Sequence, residues 1–423
     1  MTSTMDGEAA TRRDFLTLSA LATISAGSCF QLLRSHAAEL ERQGMSCILL
    51  WMQGGPSQFE TFDPKPEHEN GGPTKTISTA VPGIHVAEHW PRVAEAMRDI
   101  CLIRSMTNRE GNHQRATYQL QTGYVPSPSV KYPTLGSVVS RELAPADLDL
   151  PSYVRLGGGR GRGPGAGILG VEHEPFVLPA AGRPPENVKP LVAPGRFERR
   201  LGLLRDLEGV SEGRGARARR AKEQGALYQR AARLAVSPRL EVFDLEKESE
   251  SMRAAYGDHA FGRNCLLARR LVESGVTFVE VRAGGWDTHA ENFERVAQLA
   301  PNVDQGFAQL VNDLRQRGRL EKTLIIWMGE FGRTPRINGR GGRDHFPRAS
   351  TVALAGGGVR GGQVVGKTSP DGMGVVERPV SVEDLFCTLC HGLTIDPRKE
   401  TESPLGRPVK IVDGGEPIVD VFA

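Results

Sequence analysis

Asp287 and His289 stand two residues apart in Gly284-Gly285-Trp286-Asp287-Thr288-His289. On extended backbone that spacing sets both side chains on one face, as two ligands to one ion require. Glu330, in Gly329-Glu330-Phe331-Gly332, offers a second carboxylate. Asp344 and His345, in Arg343-Asp344-His345-Phe346, offer a further acid and imidazole. Oxygen and imidazole donors together suit a divalent metal ion: zinc, manganese or iron best, calcium less well. Each residue has a plainer reading alone: a helix N-cap for Asp287, a structural histidine for His289, a turn acid for Glu330. Their joint position favours one site. The first two segments directly follow predicted strands and the third comes shortly after, and open α/β sheets gather ligands beyond the carboxyl ends of their strands.

Those strands must come from the apolar runs. Ser46–Met52 is nearly all apolar and ends in Gln53-Gly54-Gly55-Pro56, which predicts a central parallel strand feeding a loop. Further strands are predicted at 100–104, 153–156, 276–281, 323–328 and 350–354, and helices at 88–99, 112–121, 134–143, 258–274, 293–317 and 382–392. This alternation predicts an α/β fold with a largely parallel central sheet and helices on both faces. Residues 38–423 are read as one domain with a helical insertion near 196–250. The insertion mixes arginine with Glu, Ala and Leu, which favours solvated helices with internal ion pairs over a nucleic-acid surface. A net charge of +3 over 423 residues likewise gives no sign of a nucleic-acid partner.

The first 37 residues read as an export signal. Thr11-Arg12-Arg13-Asp14-Phe15-Leu16 fits the twin-arginine pattern, and Ser35-His36-Ala37 offers small residues for cleavage. The apolar stretch 15–24 is too short and too polar for a stable membrane span. The expectation is a soluble protein exported to the periplasm by the twin-arginine machinery. That route carries folded proteins, which agrees with a metal site and with sparse cysteine. Of six cysteines, Cys29 would leave with the signal, and the five remaining argue against a disulfide framework.

Two motif matches are set aside on context. Cys387-Thr388-Leu389-Cys390-His391 matches the haem-attachment pattern, but Val382, Leu385, Phe386, Leu389 and Leu393 recur at helical spacing with Cys390 on their face. A packing helix is the better reading. Gly165-Ala166-Gly167-Ile168-Leu169-Gly170 matches GxGxxG, but no strand leads into it and no helix opens after it. It is read as a mobile surface loop near substrate.

Several segments, in order along nearly the whole mature chain, resemble the exported bacterial family called domain of unknown function 1501. They are Leu50-Trp51-Met52-Gln53-Gly54-Gly55-Pro56-Ser57, Phe62-Asp63-Pro64-Lys65-Pro66, Asn112-His113 and Gln121-Thr122-Gly123-Tyr124. Gly285-Trp286-Asp287-Thr288-His289, Met328-Gly329-Glu330-Phe331-Gly332-Arg333-Thr334-Pro335 and Gly342-Arg343-Asp344-His345 complete the set. The frame is similar to the alkaline phosphatase and sulfatase superfamily. That resemblance implies an alkaline phosphatase/sulfatase-like fold and a metal-dependent hydrolase of phosphate or sulfate esters. Its substrate would be an anionic ester, such as a sulfated or phosphorylated polysaccharide. The resemblance gives Asp287, His289 and His345 metal-holding roles, sets Glu330 where the superfamily has an Asp-His pair, and puts His113 near the usual nucleophile.

The metal would polarise an ester oxygen and lower the pKa of bound water. His113 would serve as nucleophile or general acid–base, and Arg333 and Arg343 would hold anionic oxygens. The chain also departs from the superfamily. The first strand ends in Gln53, with Glu60 and Asp63 further on, where an aspartate is usual. Asn112, His113 and Gln114 occupy the nucleophile's place, with Thr107 and Thr117 nearby, and no Cys-x-Pro-Ser-Arg sulfatase motif is present. A second reading therefore stands beside the first: a non-catalytic, metal-containing relative that binds polysaccharide or another ligand.

Overall fold

Every residue of β1 (Ser46–Met52) is buried, and alternate side chains enter two different cores. Ile48, Leu50 and Met52 face one, Cys47, Leu49 and Trp51 the other. Period-two alternation with both faces apolar marks a strand covered on both sides. The computed structural model describes residues 44–422, apart from 159–162, 183–184, 186–187, 189–191, 193, 210–215 and 404.

Seven more strands join β1: β2 (Ile100–Met106), β3 (Tyr153–Leu156), β4 (Phe176–Leu178), β5 (Phe278–Ala283), β6 (Thr323–Met328), β7 (Ser350–Ala355) and β8 (Gln363–Val365). Their order across the sheet is β8-β2-β7-β6-β1-β5-β3-β4. β1 runs parallel to both β5 and β6. Within the described sheet only β7 is antiparallel, to β2 on one side and β6 on the other.

Five helices matter for the site and its support: α1 (His113–Thr122), α2 (Leu135–Leu143), α3 (Ala260–Glu273), α4 (Asn292–Gln316) and α5 (Val382–Gly392). α3 and α4 bury Leu267, Leu271, Phe307 and Val311 against the Ile48–Leu50 face. α2 and α5 bury Val138, Val139, Leu385 and Leu389 against the opposite face. Each such fully buried aliphatic side chain stabilises the fold by about 1.5–3 kcal/mol. The expected sheet with helices on both faces is therefore present.

α1 starts where its sequence says it should. The Asn112 side chain accepts hydrogen bonds from the backbone of Gln114 and Arg115, and Gly123, at φ 78°, ends the helix in the left-handed region. α5 is the packing helix read from its periodicity, with Cys387 and Cys390 buried. Burial pushes the Cys387 thiol up to about 11.

Other expectations need correction. The strand expected at 276–281 lies at Phe278–Ala283, because an apolar run carries no phase signal at its ends. The helix expected over 88–99 splits into Pro91–Glu95 and a 3-10 turn, Ala96–Asp99. Proline begins a helix and cannot sit inside one without loss of a hydrogen bond. The segment 165–170 is docked, not a mobile surface loop: Ala166 is buried, its amide donates to Glu174 Oε1 at 3.0 Å, and Ile168 donates to the Lys131 carbonyl at 3.0 Å. The insertion contains the helices Pro194–Gly209 and Ala216–Ala235. The export signal read at 1–37 lies outside the described residues. Among the described residues no helix is long and apolar enough to cross a membrane.

Candidate metal centre

Three loop segments meet beyond the carboxyl ends of β1, β5 and β6, and the start of α1, which follows β2, joins them. After β5 the chain turns through Gly284-Gly285, and Trp286 is driven into the core beside Trp90, ring centroids 6.3 Å apart. That anchor fixes Asp287 at the surface of the loop. Gly54, at φ 119°, lies directly beneath: a Cβ there would come within 2.4 Å of the Asp287 backbone nitrogen. Only glycine allows this approach in that conformation. Gly342 is as tightly confined, its Cβ position lying 2.1 Å from the His289 carbonyl carbon. The Arg343 amide donates to the Thr288 carbonyl at 3.0 Å, so the segment before His345 is laid along the Asp287–His289 loop. His345 then pairs with Arg333 in a short antiparallel ribbon.

The imidazoles converge with their outer nitrogens already engaged. His113 Nδ1 lies 2.7 Å from Glu330 Oε1. His289 Nδ1 lies 2.7 Å from Asp344 Oδ1, and His345 Nδ1 lies 2.8 Å from the Gly111 carbonyl. Each partner is an acceptor, so each Nδ1 carries a proton, and in the neutral ring each Nε2 presents a lone pair. Those lone pairs gather around one oxygen: Asp287 Oδ1 is 3.3 Å from His113 Nε2, 3.1 Å from His289 Nε2 and 3.4 Å from His345 Nε2. His289 Nε2 and His345 Nε2 are themselves 2.9 Å apart. Two lone pairs at that separation repel unless a cation or a proton lies between them. His113 Nε2 is buried and, among the described residues, has no hydrogen-bond partner of good geometry, with Asp287 Oδ1 3.3 Å away.

Donors around a four-coordinate zinc with bonds of about 2.0–2.1 Å stand roughly 3.3 Å apart. The observed spacings fall in that range. The ligand atoms of His113, Asp287 and His345 all lie within 4.8 Å of one another; His289 stands outside that trio, with its Nε2 against Asp287 and His345. The donor set fits a divalent transition metal, with Glu330, Asp344 and the Gly111 carbonyl orienting the imidazoles from behind.

Charge supports the same picture. Burial works against a charged Asp287, but its hydrogen bond from Arg333 and the imidazoles of His113 and His289 outweigh that and hold its carboxyl down at about 2. The hydrogen bond to Glu330 raises the His113 pKa against the opposing effect of burial. Burial lowers His345. The contact with His289 lowers Asp344.

The residues singled out from the sequence thus fall into distinct places. Asp287, His289 and His345 come together, and His113, read from the sequence as nucleophile or acid–base, points its Nε2 into the same group. Glu330 and Asp344 stand one step back, on the imidazoles: Glu330 Oε1 also accepts from the Gly54 amide at 2.9 Å. Arg333 is fully buried, donating to Asp287 Oδ1 at 2.5 Å and to the carbonyls of Gly54, Gly55 and Arg343. Its donors hold the loops and Asp287, not an open position. Arg343 is not brought to the cluster. Its guanidinium is fully buried on Glu60 Oε1 at 2.8 Å and on the carbonyls of Asn70, Thr334 and Pro335, with the Phe59 ring 4.4 Å away.

The cluster opens onto a cleft of about 890 Å³ whose lining includes Trp51, Gln53, His113, Thr117, Arg282 and Asp287. Sequence reasoning missed Arg282, which sits inside a strand and carries no motif. It also missed Gly111, because a carbonyl acceptor has no residue-type signal.

No curated protein matches the chain in sequence. Superposition on solved structures is loose. A sulfatase from Pseudoalteromonas sp. gives a TM-score of 0.42 at 14% identity, over 92% of this chain and 74% of that one. A 2-O glycosaminoglycan sulfatase gives 0.36 at 13% identity, over 83% and 71%. The phosphonate monoester hydrolase of Agrobacterium radiobacter gives 0.33 at 15% identity, over 89% and 77%. Values this low transfer no chemistry, so the site stands on its own geometry. The family model described as protein of unknown function (DUF1501) matches residues 45–422, and the chain belongs to that family.

Proposed function

We propose that the protein holds a divalent metal ion through His113, Asp287, His289 and His345 and hydrolyses phosphate or sulfate esters in the adjoining cleft. The observation that carries this reading is the convergence of three imidazole Nε2 atoms on one carboxylate oxygen at the cleft wall. An ion held there supplies Lewis acidity to an anionic ester oxygen. The chain's own residues do the rest. Glu330 and Asp344 hold the Nδ1 protons of His113 and His289, which fixes the tautomers and raises the donors' basicity. Arg333 fixes Asp287. A sulfated or phosphorylated polysaccharide is the proposed substrate, and the twin-arginine signal at 1–37 takes the folded chain to the periplasm.

One observation favours the second reading, a ligand-binding relative without turnover. Among the described residues lining the cleft, Thr117 and Tyr118 carry the only side-chain hydroxyls and there is no thiol. A covalent route through a side chain thus has few candidates, and hydrolysis would have to use water.

The test is metal content of purified mature protein beside the Asp287→Ala/His289→Ala variant, followed by turnover of aryl phosphate and aryl sulfate with zinc, manganese, iron and calcium. Near-stoichiometric metal in the wild type, none in the variant, and metal-dependent turnover are expected. Absence of metal from the wild type even after reconstitution would sink the proposal. Bound metal without turnover would select the second reading. For export, an Arg12→Lys/Arg13→Lys variant should accumulate in the cytoplasm with an intact N-terminus. Wild-type protein found there in the same form would remove the export proposal.

A further inference from the structure

The carboxyl-terminal half of β5 breaks the apolar pattern of the sheet. Phe278, Glu280 and Arg282 share one face by alternation, and Tyr153 and Arg155 of β3 lie beside them. Glu280 is fully buried. Its Oε2 accepts from Tyr153 at 2.6 Å and from Arg155 Nε at 2.7 Å. Its Oε1 accepts from Arg282 Nε at 2.6 Å and from Gln121 at 3.1 Å. Burial alone would raise this carboxyl, and the two guanidiniums reverse that and hold it down at about 2.

One carboxylate is thus shared by two guanidiniums, which leaves one positive charge unmatched. Arg155 Nη2 donates to the Pro164 carbonyl and to the Tyr153 hydroxyl, both at 3.0 Å. Among the described residues Arg282 Nη2 has no hydrogen-bond partner, on a side chain only 7% exposed. Buried ion triads of this kind do not stabilise a fold better than apolar residues of the same size. Stability therefore gives no reason for this arrangement.

Location does. Arg282 lines the same cleft as His113 and Asp287. The acids on that cleft face other partners, Asp287 Oδ1 engaged by Arg333 and Glu330 Oε1 by His113 and the Gly54 amide. A side chain at Gly163 would come within 2.9 Å of Arg282 Nη2, so it is bare backbone that packs against that buried nitrogen. Along α1, His113 opens the helix at the metal ligands and Gln121 reaches Glu280 eight residues later. At 1.5 Å per residue that is about 12 Å. The anchor of Arg282 therefore lies along the cleft from the metal cluster, not within it.

We propose that Arg282 is a recognition residue for a tetrahedral oxyanion, sulfate or phosphate, separate from the group that meets the metal ligands. The ligand of this cleft is then a molecule with at least two anionic groups. Glu280 and Arg155 are positioning residues that hold the guanidinium fork toward the cleft. The word substrate rests on the hydrolase reading; the anion site does not.

The experiment measures binding of inorganic sulfate and of inorganic phosphate by tryptophan fluorescence, since Trp51 lines the cleft and pairs with Arg282 across the sheet. It is run on the wild type and on Asp287→Ala/His289→Ala, each with and without Arg282→Gln. Anion binding that persists without the metal ligands and weakens at least tenfold on Arg282→Gln is the expected result, and the tighter anion identifies the group recognised. Equal binding with and without Arg282→Gln overturns the proposal, as does a wild type that binds neither anion. If Arg282→Gln fails to fold, Arg282→Lys, which keeps the charge and loses the fork, must weaken binding at least threefold at an unchanged melting temperature. A wild type that holds no metal but binds anions through Arg282 sinks the hydrolase reading and leaves this one standing.

Discussion

Glu330 would set how tightly the proposed metal site holds its ion without touching it. Its Oε1 holds the His113 Nδ1 proton, which keeps Nε2 free and basic. Glu330→Gln keeps the size and an acceptor for the Gly54 amide but removes the charge, and metal affinity should fall by about 10–100-fold. The pH dependence has a definite sign. The raised His113 pKa means that the metal-free site keeps a second proton, on Nε2, to higher pH than an ordinary imidazole does. Its contribution to metal-free stability is full below the unfolded pKa and is lost as pH rises through the folded one. Metal affinity runs the other way, rising with pH across the same window because the ligand must be deprotonated. In Glu330→Gln the midpoint of that rise should move to lower pH, as read by competition with a chromophoric chelator; an unmoved midpoint would show that Glu330 does not set the His113 basicity. At this scale Asp287, His289 and His345 were legible from spacing and from the segments they occupy. The place of His113 among the donors was not, since it depends on a contact with Glu330 across 217 residues of chain. Nor did sequence tell a buried guanidinium from an open one. Arg333 and Arg343 have the residue type of anion holders, yet both spend their donors inside the protein.

At the scale of elements, the site depends on how closely loops can approach. Gly54 and Gly342 each occupy a contact with the Asp287–His289 loop that a methyl group cannot share. Gly54→Ala adds a clash with the Asp287 nitrogen at a positive φ, and should cost on the order of 2 kcal/mol or more together with loss of bound metal. Arg343→Met provides the contrast. It leaves Glu60 as an unpaired buried charge and should cost about 3–5 kcal/mol, while the molecules that remain folded keep their metal. Denaturant unfolding with metal analysis of the folded fraction separates the two; loss of metal from folded Arg343→Met would show that this residue supports the cluster after all. The parallel strands that carry these loops were legible because both faces are apolar, as in β1 and β6. β4 and β8 were not, since three residues are too few to show a period, and the direction of β7 is not encoded in its alternation.

At the scale of the whole molecule, an ion at this site is a cross-link. It ties the start of α1, the loop after β5 and the ribbon carrying His345, segments that are distant in sequence and meet only in the folded chain. Binding to the folded state alone adds stability by mass action, about 2.7 kcal/mol at free metal a hundredfold above its Kd. With an unfolding entropy of roughly 2.1 cal/mol/K per residue, a domain of this size should lose about 3 °C in melting temperature when the metal is removed. Chelator should lower the melting temperature of the wild type, added zinc or manganese should restore it, and Asp287→Ala/His289→Ala should respond to neither. The Arg282→Gln variant should respond as the wild type does, because its guanidinium lies along the cleft and not among the donors. An equal response in the Asp287→Ala/His289→Ala variant would place the stabilising ion elsewhere. A response lost in Arg282→Gln would merge the two sites into one. With both outcomes absent, the cleft holds two separate cationic recognition points, the metal ion and Arg282, and its ligand must satisfy both at once with anionic groups.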